Sequence, residues 1–132
     1  MNVIEATGLT RVYSRGSEEV HALRGVSLAV RAGEYISIVG PSGSGKTALL
    51  NLLGCLDTPT SGRLLINGTD VTGMPESGRV ILRREAIGFI FQQFYLIPTL
   101  SARENVLLPL TFSRKEVRYN RAEEILGMVG LS

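Results

Sequence analysis

Residues Ser37 to Asp57 read SIVGPSGSGKTALLNLLGCLD, a glycine-rich bend carrying one lysine between a short β-like apolar run and a leucine-rich helical one. Within it, Gly40-Pro41-Ser42-Gly43-Ser44-Gly45-Lys46-Thr47 satisfies G-x-x-x-x-G-K-[ST], a pattern that needs a strand before it and a helix after it. Glycines let successive backbone N–H groups turn inward around an anion, and the start of the following helix adds the positive end of its dipole. Phosphate is the ligand that suits such a bend. Lys46 is expected to reach the β- and γ-phosphates of a nucleotide, and the Thr47 hydroxyl to ligate the Mg²⁺ bridging them.

Two weaker patterns overlap this region. Gly43-Ser44-Gly45-Lys46-Thr47-Ala48 also fits the dinucleotide fingerprint G-x-G-x-x-A, but no acidic residue closes a second strand about twenty residues later. Asp70-Val71-Thr72-Gly73 fits the D-x-x-G of a GTPase, yet it follows an Asn-Gly turn, and no N-K-x-D motif occurs in the chain.

The flanks predict a mixed α/β body. VIEATGLTRVY and EVHALRGVSLAV alternate partly between apolar and polar residues around the turn-prone SRGSE, as two antiparallel strands would. Ile36, Ile38 and Val39 predict a strand buried on both faces. Ala48 to Leu56 predicts a helix ending near Asp57, where Pro59 and Gly62 follow. Asn67-Gly68 between apolar residues predicts a hairpin that joins the N-terminal strands. PESGRVILRREA reads as a short charged helix, and IGFIFQ as another strand ending at Gln92. Ser101 with Glu104, and Ser113 with Glu116, have capping-box spacing; the second helix would carry Val117, Ala122, Ile125, Leu126 and Val129 and end at Gly130.

At 132 residues the length is that of one ordinary domain. With 44% hydrophobic and 20% charged residues, the balance is that of a globular protein. Net charge is only +2, and the twelve Arg and two Lys are scattered, so no nucleic-acid partner is expected. The single cysteine, Cys55, permits neither an intrachain disulfide nor a cysteine-rich metal site and reads as a small buried hydrophobe in the helical run. The lone histidine, His21, reads as a strand surface residue. No apolar segment is long enough to span a bilayer and the N-terminus lacks a leader pattern, so a cytoplasmic location is expected.

YSRGSEEVHALRGVSLAVRAGEYISIVGPSGSGKTALLNLLGCLDTPTSG followed by RREAIGFIFQQFYLIPTLSARENVLLPL resembles the first half of an ABC transporter ATP-binding domain, of the lipoprotein-release and macrolide-export type. The likeness covers nearly the whole chain. It implies an incomplete P-loop NTPase core with an N-terminal antiparallel β subdomain and the start of a helical subdomain. Residues 1–91 would hold the strands and phosphate loop, and residues 92–132 the Q-loop and first helices. By the same resemblance, Tyr13 stacks on adenine, and Gln92 is the Q-loop glutamine that meets the Mg²⁺. The alternatives are that Tyr13 fills a core and Gln92 is a solvated strand end. Phe94, Tyr95, Leu96, Ile97 and Pro98 would line the docking groove for a coupling helix of a transmembrane permease, or else pack under the following helix. A second ATP-binding subunit would complete a homodimer, and the protein would sit peripherally on the inner face of the membrane. One departure is local: Thr47-Ala48 stands where the family has two hydroxyl residues.

The family's LSGGQ signature, its Walker B aspartate and glutamate, and its switch histidine are not found in these 132 residues. The resemblance therefore implies ATP and Mg²⁺ binding without a catalytic residue for hydrolysis by this chain alone. A non-catalytic nucleotide-binding or interaction half-domain remains open, as does a soluble ABC-type ATPase acting on nucleic acid.

Overall fold

The computed structural model describes residues 1–112 and 120–131. They divide into two compact units, Met1–Gly88 and Phe89–Ser132.

The first unit is built on a long hairpin. Strands β1 (Asn2–Arg15) and β2 (Glu18–Arg31) pair antiparallel from Asn2 opposite Arg31 to Arg15 opposite Glu18. Gly16, at φ 65°, lies in the two-residue turn between them and takes the left-handed conformation that such a turn demands. The expected second hairpin is present: β3 (Ser61–Ile66) pairs with β1, β4 (Thr69–Asp70) pairs with β3, and Asn67 and Gly68 both have positive φ at the turn. The sheet order is β2-β1-β3-β4, entirely antiparallel.

One face of this sheet packs on helix α1 (Lys46–Leu53). Leu49, Leu52 and Leu53 of the helix meet Ala6, Leu9, Leu23, Leu64 and Ile66 of the strands, with Cys55 and Val71 closing the cluster. Leu9 and Leu52 are fully buried. The helix ends four residues before the expected stop at Asp57. Gly54 caps it, Cys55 turns left-handed at φ 56°, and the N–H groups of Leu56 and Asp57 both return to the Asn51 carbonyl. Cys55 is thus buried as expected, but in the cap rather than in the helix. Helix α2 (Glu76–Ala86) matches the charged segment; its Glu76 pairs with Arg79 and Arg83, and Arg83 Nη1 donates to the Cys55 carbonyl at 2.6 Å. His21 is exposed, 3.7 Å from Glu19.

The two strands expected at Ile36–Val39 and Ile87–Gln92 are not formed among the described residues. Neither segment belongs to a ladder, Val39 is 91% exposed, and Ile90 is fully exposed. A strand needs a hydrogen-bonded neighbour, and none of the four strands pairs with either run. Only Ile38 and Ile87 pack against the core.

The second unit contains α3 (Ala102–Thr111) and α4 (Asn120–Met128). Ser101 and Glu104 form the expected capping box, each side chain accepting the other's backbone N–H. Arg103 of α3 pairs with Glu123 of α4, Ala122 is fully buried, and Gly130 turns the chain at φ 76°. The capping box expected at Ser113 and Glu116 lies outside the described residues.

Candidate phosphate-binding loop and its surroundings

The Gly40–Ala48 bend leads directly into α1, although the strand its pattern also calls for ahead of it is not formed. Gly45 is the N-cap, at φ 94° and ψ 9°, and the first helical bond runs from the Leu49 N–H to the Gly45 carbonyl at 2.9 Å. The N–H groups of Lys46, Thr47 and Ala48 therefore lie ahead of the first intrahelical donor and have no acceptor within the helix, at the positive end of its dipole. Ser44 N–H closes a turn on the Pro41 carbonyl at 3.2 Å. Ser42, Gly43 and Thr47 are exposed, whereas Ala48 packs against the core.

Lys46 folds back over the loop. Its Nζ donates to the carbonyls of Gly40 at 2.6 Å and Pro41 at 2.8 Å, with Ser44 Oγ at 3.5 Å. An ammonium held by two neutral carbonyls is positioned at the loop without a counter-charge, so an anion seated there would gain a full ionic partner.

Contact with backbone requires glycine at Gly45, whereas at Gly40 the neighbour is a side-chain hydroxyl that can turn away. A Cβ on Gly45 would stand 2.4 Å from the Ala22 carbonyl oxygen of β2, and a Cβ on Gly40 would stand 2.6 Å from Ser44 Oγ. The loop thus presses backbone to backbone against the sheet, leaving its N–H side open. Donors without acceptors, a cation and a left-handed glycine suit a polyphosphate.

Tyr13 lies on β1 opposite Val20, and Ala22, which abuts Gly45, is two residues further along β2. Its ring is partly buried but does not fill the core. The hydroxyl donates to Asp57 Oδ2 at 2.7 Å, and the Arg11 guanidinium covers the ring with Cζ 4.5 Å from its centroid. Arg11 Nε also donates to Asp57 Oδ2, at 2.8 Å. Burial pushes the Asp57 carboxyl up, but hydrogen bonds from Tyr13 and Thr58 and the Arg11 charge outweigh it and hold it below the ordinary carboxylate value. Asp57 was not legible as a site neighbour, because its contacts with Arg11 and Tyr13 span more than forty residues of sequence, whereas Arg11 stands only two residues from Tyr13 on β1. The only local hint is that LLGCLD ends on a carboxylate just beyond the helix.

Gln92 belongs to the second unit, exposed at a bend beside Gln93. In the same unit Phe94 is 87% exposed, and Tyr95 and Leu96 are also exposed; Tyr95 has a left-handed φ of 49°. Phe91 stacks on Phe89 and meets Tyr95 edge-on. Leu96, Ile97 and Pro98 line an apolar cavity of about 470 Å³ with Val106 and Leu126. Asn105 of α3 holds this loop: its Oδ1 accepts the Ile97 N–H at 2.9 Å, and its Nδ2 donates to the carbonyls of Ile97, Leu100 and Ser101 at 3.0–3.2 Å.

An antiparallel sheet packed on a helix that opens with G-x-x-x-x-G-K-[ST] defines a P-loop protein of the α/β class. The sequence pattern of the ABC transporter family matches residues 23–132, and the chain belongs to that family. It is 43% identical over 130 residues to the macrolide export ATP-binding/permease protein MacB of Bdellovibrio bacteriovorus, covering 98% of this chain and 20% of that protein. Over 135 residues it is 44% identical to the lipoprotein-releasing system ATP-binding protein LolD 1 of Rhodopseudomonas palustris, covering 99% of this chain and 60% of that one. The dimeric ABC transporter cassette MJ0796 of Methanocaldococcus jannaschii superposes with a TM-score of 0.89 at 42% identity, covering 98% of this chain and 58% of that one. The same cassette in a post-hydrolysis dimer bound to ADP and Pi superposes equally well. The chain therefore spans less than two thirds of the relatives it matches. No helix among the described residues is long and apolar enough to cross a membrane.

Proposed function

We propose that this chain binds MgATP as part of the ATP-binding subunit of an ABC transporter that drives export or lipoprotein release through a membrane permease. The observation that carries the reading is the Gly40–Ala48 loop, with Lys46 seated over its carbonyls at the start of α1. The loop N–H groups and Lys46 hold the phosphates, and Tyr13 offers a surface to the base. Thr47 Oγ1, next to Lys46, is the group of the first unit that would hold Mg²⁺, which neutralises phosphate charge when bound, while Gln92 keeps the Q-loop role on resemblance alone. Ala48 contributes only its backbone N–H, since its methyl packs into the core.

The Phe94–Pro98 segment, whose Ile97 is held by Asn105, is an apolar surface suited to a permease helix. It favours a membrane partner over nucleic acid, which would call for basic residues. Two such subunits would form the working dimer, peripheral to the inner face of the membrane.

Hydrolysis needs a carboxylate to position water. Both aspartates of the chain are committed elsewhere, Asp57 to Arg11 and Tyr13 and Asp70 to Arg63 at 2.8 Å. Neither aspartate is therefore free to position that water.

The test is calorimetric titration with MgATP. Lys46→Met should weaken binding at least about tenfold, since a charge-assisted hydrogen bond is lost together with a full charge. Equal affinity of the variant and the parent would overturn the reading.

A further inference from the structure

We propose that Asp57 and Arg11 act as positioning residues, tethering the Tyr13 ring to the exit of α1 and so fixing the spacing between base and phosphate subsites. The inference rests on the nucleotide-binding reading above. What it adds is the device that makes two distant elements one site.

The hairpin alone does not fix the ring. Tyr13 lies two residues from the end of β1, and the β1–β2 register shifts between Arg11 and Val12. A tyrosine there has rotamers to choose among, and ordering it on binding would cost affinity.

Asp57 removes that freedom from the other side. Its backbone N–H and that of Leu56 both donate to the Asn51 carbonyl, at 3.2 and 2.9 Å, so the residue is clamped to the last turn of α1. The same α1 begins at the phosphate loop. One Asp57 oxygen takes the Tyr13 hydroxyl and Arg11 Nε, and the other takes the Thr58 N–H at 2.8 Å. The Arg11 guanidinium then covers one ring face. A ring fixed by its hydroxyl and capped on one face has the other face left to offer.

The segment after Asp57 reinforces the tie. Thr60 N–H donates to the Thr10 carbonyl at 2.8 Å, Val12 N–H donates to Thr60 Oγ1 at 2.9 Å, and the Thr10 and Ser61 hydroxyls meet at 2.6 Å. Strand residues 10–13 are thus fastened to residues 57–61 at several points, and through them to the helix that carries the phosphate loop.

The experiment titrates the chain with MgATP and with magnesium tripolyphosphate, which shares the phosphates and lacks the base. The ratio of the two affinities reports the base subsite, and circular dichroism checks that each variant is folded. Tyr13→Phe keeps the ring and the Arg11–Asp57 pair but cuts the tether. Its ratio should fall about fivefold, as for loss of one ordering hydrogen bond. Asp57→Ala should lower the ratio similarly, and the double variant should fall no further than the worse single one, because both cuts remove the same link. Independent, additive losses would overturn the tether, as would a ratio unchanged in Tyr13→Phe while Tyr13→Ala lowers it. A ratio unmoved by Tyr13→Ala would overturn both the base surface and the tether. Failure of the parent chain to bind either ligand would refute the nucleotide reading itself, and the tether with it.

Discussion

Gly45 stands where sheet, loop and helix meet, and its replacement by alanine separates two reasons for a glycine. Gly43 and Gly45 both have positive φ, 78° and 94°, so an alanine at either pays the left-handed penalty of about 1–2 kcal/mol. Only at Gly45 is there also a collision, because the new Cβ would lie 2.4 Å from the Ala22 carbonyl oxygen and 3.1 Å from Leu23 Cδ2, while nothing lies within 4 Å at Gly43. Ala22 is the extra residue where the β1–β2 register shifts, between His21 opposite Val12 and Leu23 opposite Arg11, and its carbonyl is backbone, so it has no rotamer by which to turn away. The loop must move instead, at a further cost of about 1–3 kcal/mol. Gly45→Ala should therefore lose about 2–5 kcal/mol and Gly43→Ala about 1–2 kcal/mol. Urea unfolding followed by far-ultraviolet circular dichroism gives both numbers. Tripolyphosphate titration of Gly45→Ala should show weakened binding, since the N–H groups that follow Gly45 would be displaced. Equal stability losses at the two glycines would refute the claim that contact with β2 is what demands Gly45.

Asp57 makes stability sensitive to acid. Its folded carboxyl titrates below the ordinary carboxylate value, so its contribution is present above the unfolded value of about 4 and is lost as pH falls through the lower folded one. Asp57→Asn should flatten the stability profile below about pH 4, measured as the urea midpoint against pH; an unchanged acid limb would contradict the Arg11–Tyr13–Asp57 geometry. Asn105→Leu should free the turn at residues 97–101. Amide exchange at Ile97 should speed up about tenfold or more, because its N–H loses the Asn105 acceptor. Exchange as slow as in the parent would show that the loop holds itself.

What the sequence made legible was local. The Gly40–Thr47 pattern, the Asn67-Gly68 turn and the Ser101 capping box each specify backbone over a few residues; the turn and the capping box form as expected, and the glycine bend opens α1, though without the strand expected before it. What it did not reveal depends on partners. Ile36, Ile38 and Val39 have the composition of a buried strand, but a strand is a property of a pair, and no described strand lies beside them. Leu50 and Leu56 read as part of one apolar helix face, yet Leu50 lies on the exposed side of α1 and Leu56 falls beyond its early end at the left-handed Cys55. The Asp57 contacts with Arg11 and Tyr13 lie at separations of 46 and 44 residues, beyond any local pattern.

Those contacts change the part assigned to the antiparallel sheet. As a mere cover for α1, it could tolerate small register errors between β1 and β2. A one-residue slip of β1, however, would turn Tyr13 to the opposite face, away from Asp57. A slip of β2 would move the Ala22 carbonyl from Gly45 and shift the wall against which the phosphate loop is pressed. The same register thus serves both ends of the proposed nucleotide site. It is held at one end by the Gly16 turn, with Arg15 opposite Glu18, and at the other by Leu9, Leu23 and Val30 packed inward. Mutations in β1 and β2 that leave the loop sequence intact should therefore act on nucleotide affinity through register, and the core leucines matter to the site as much as to stability.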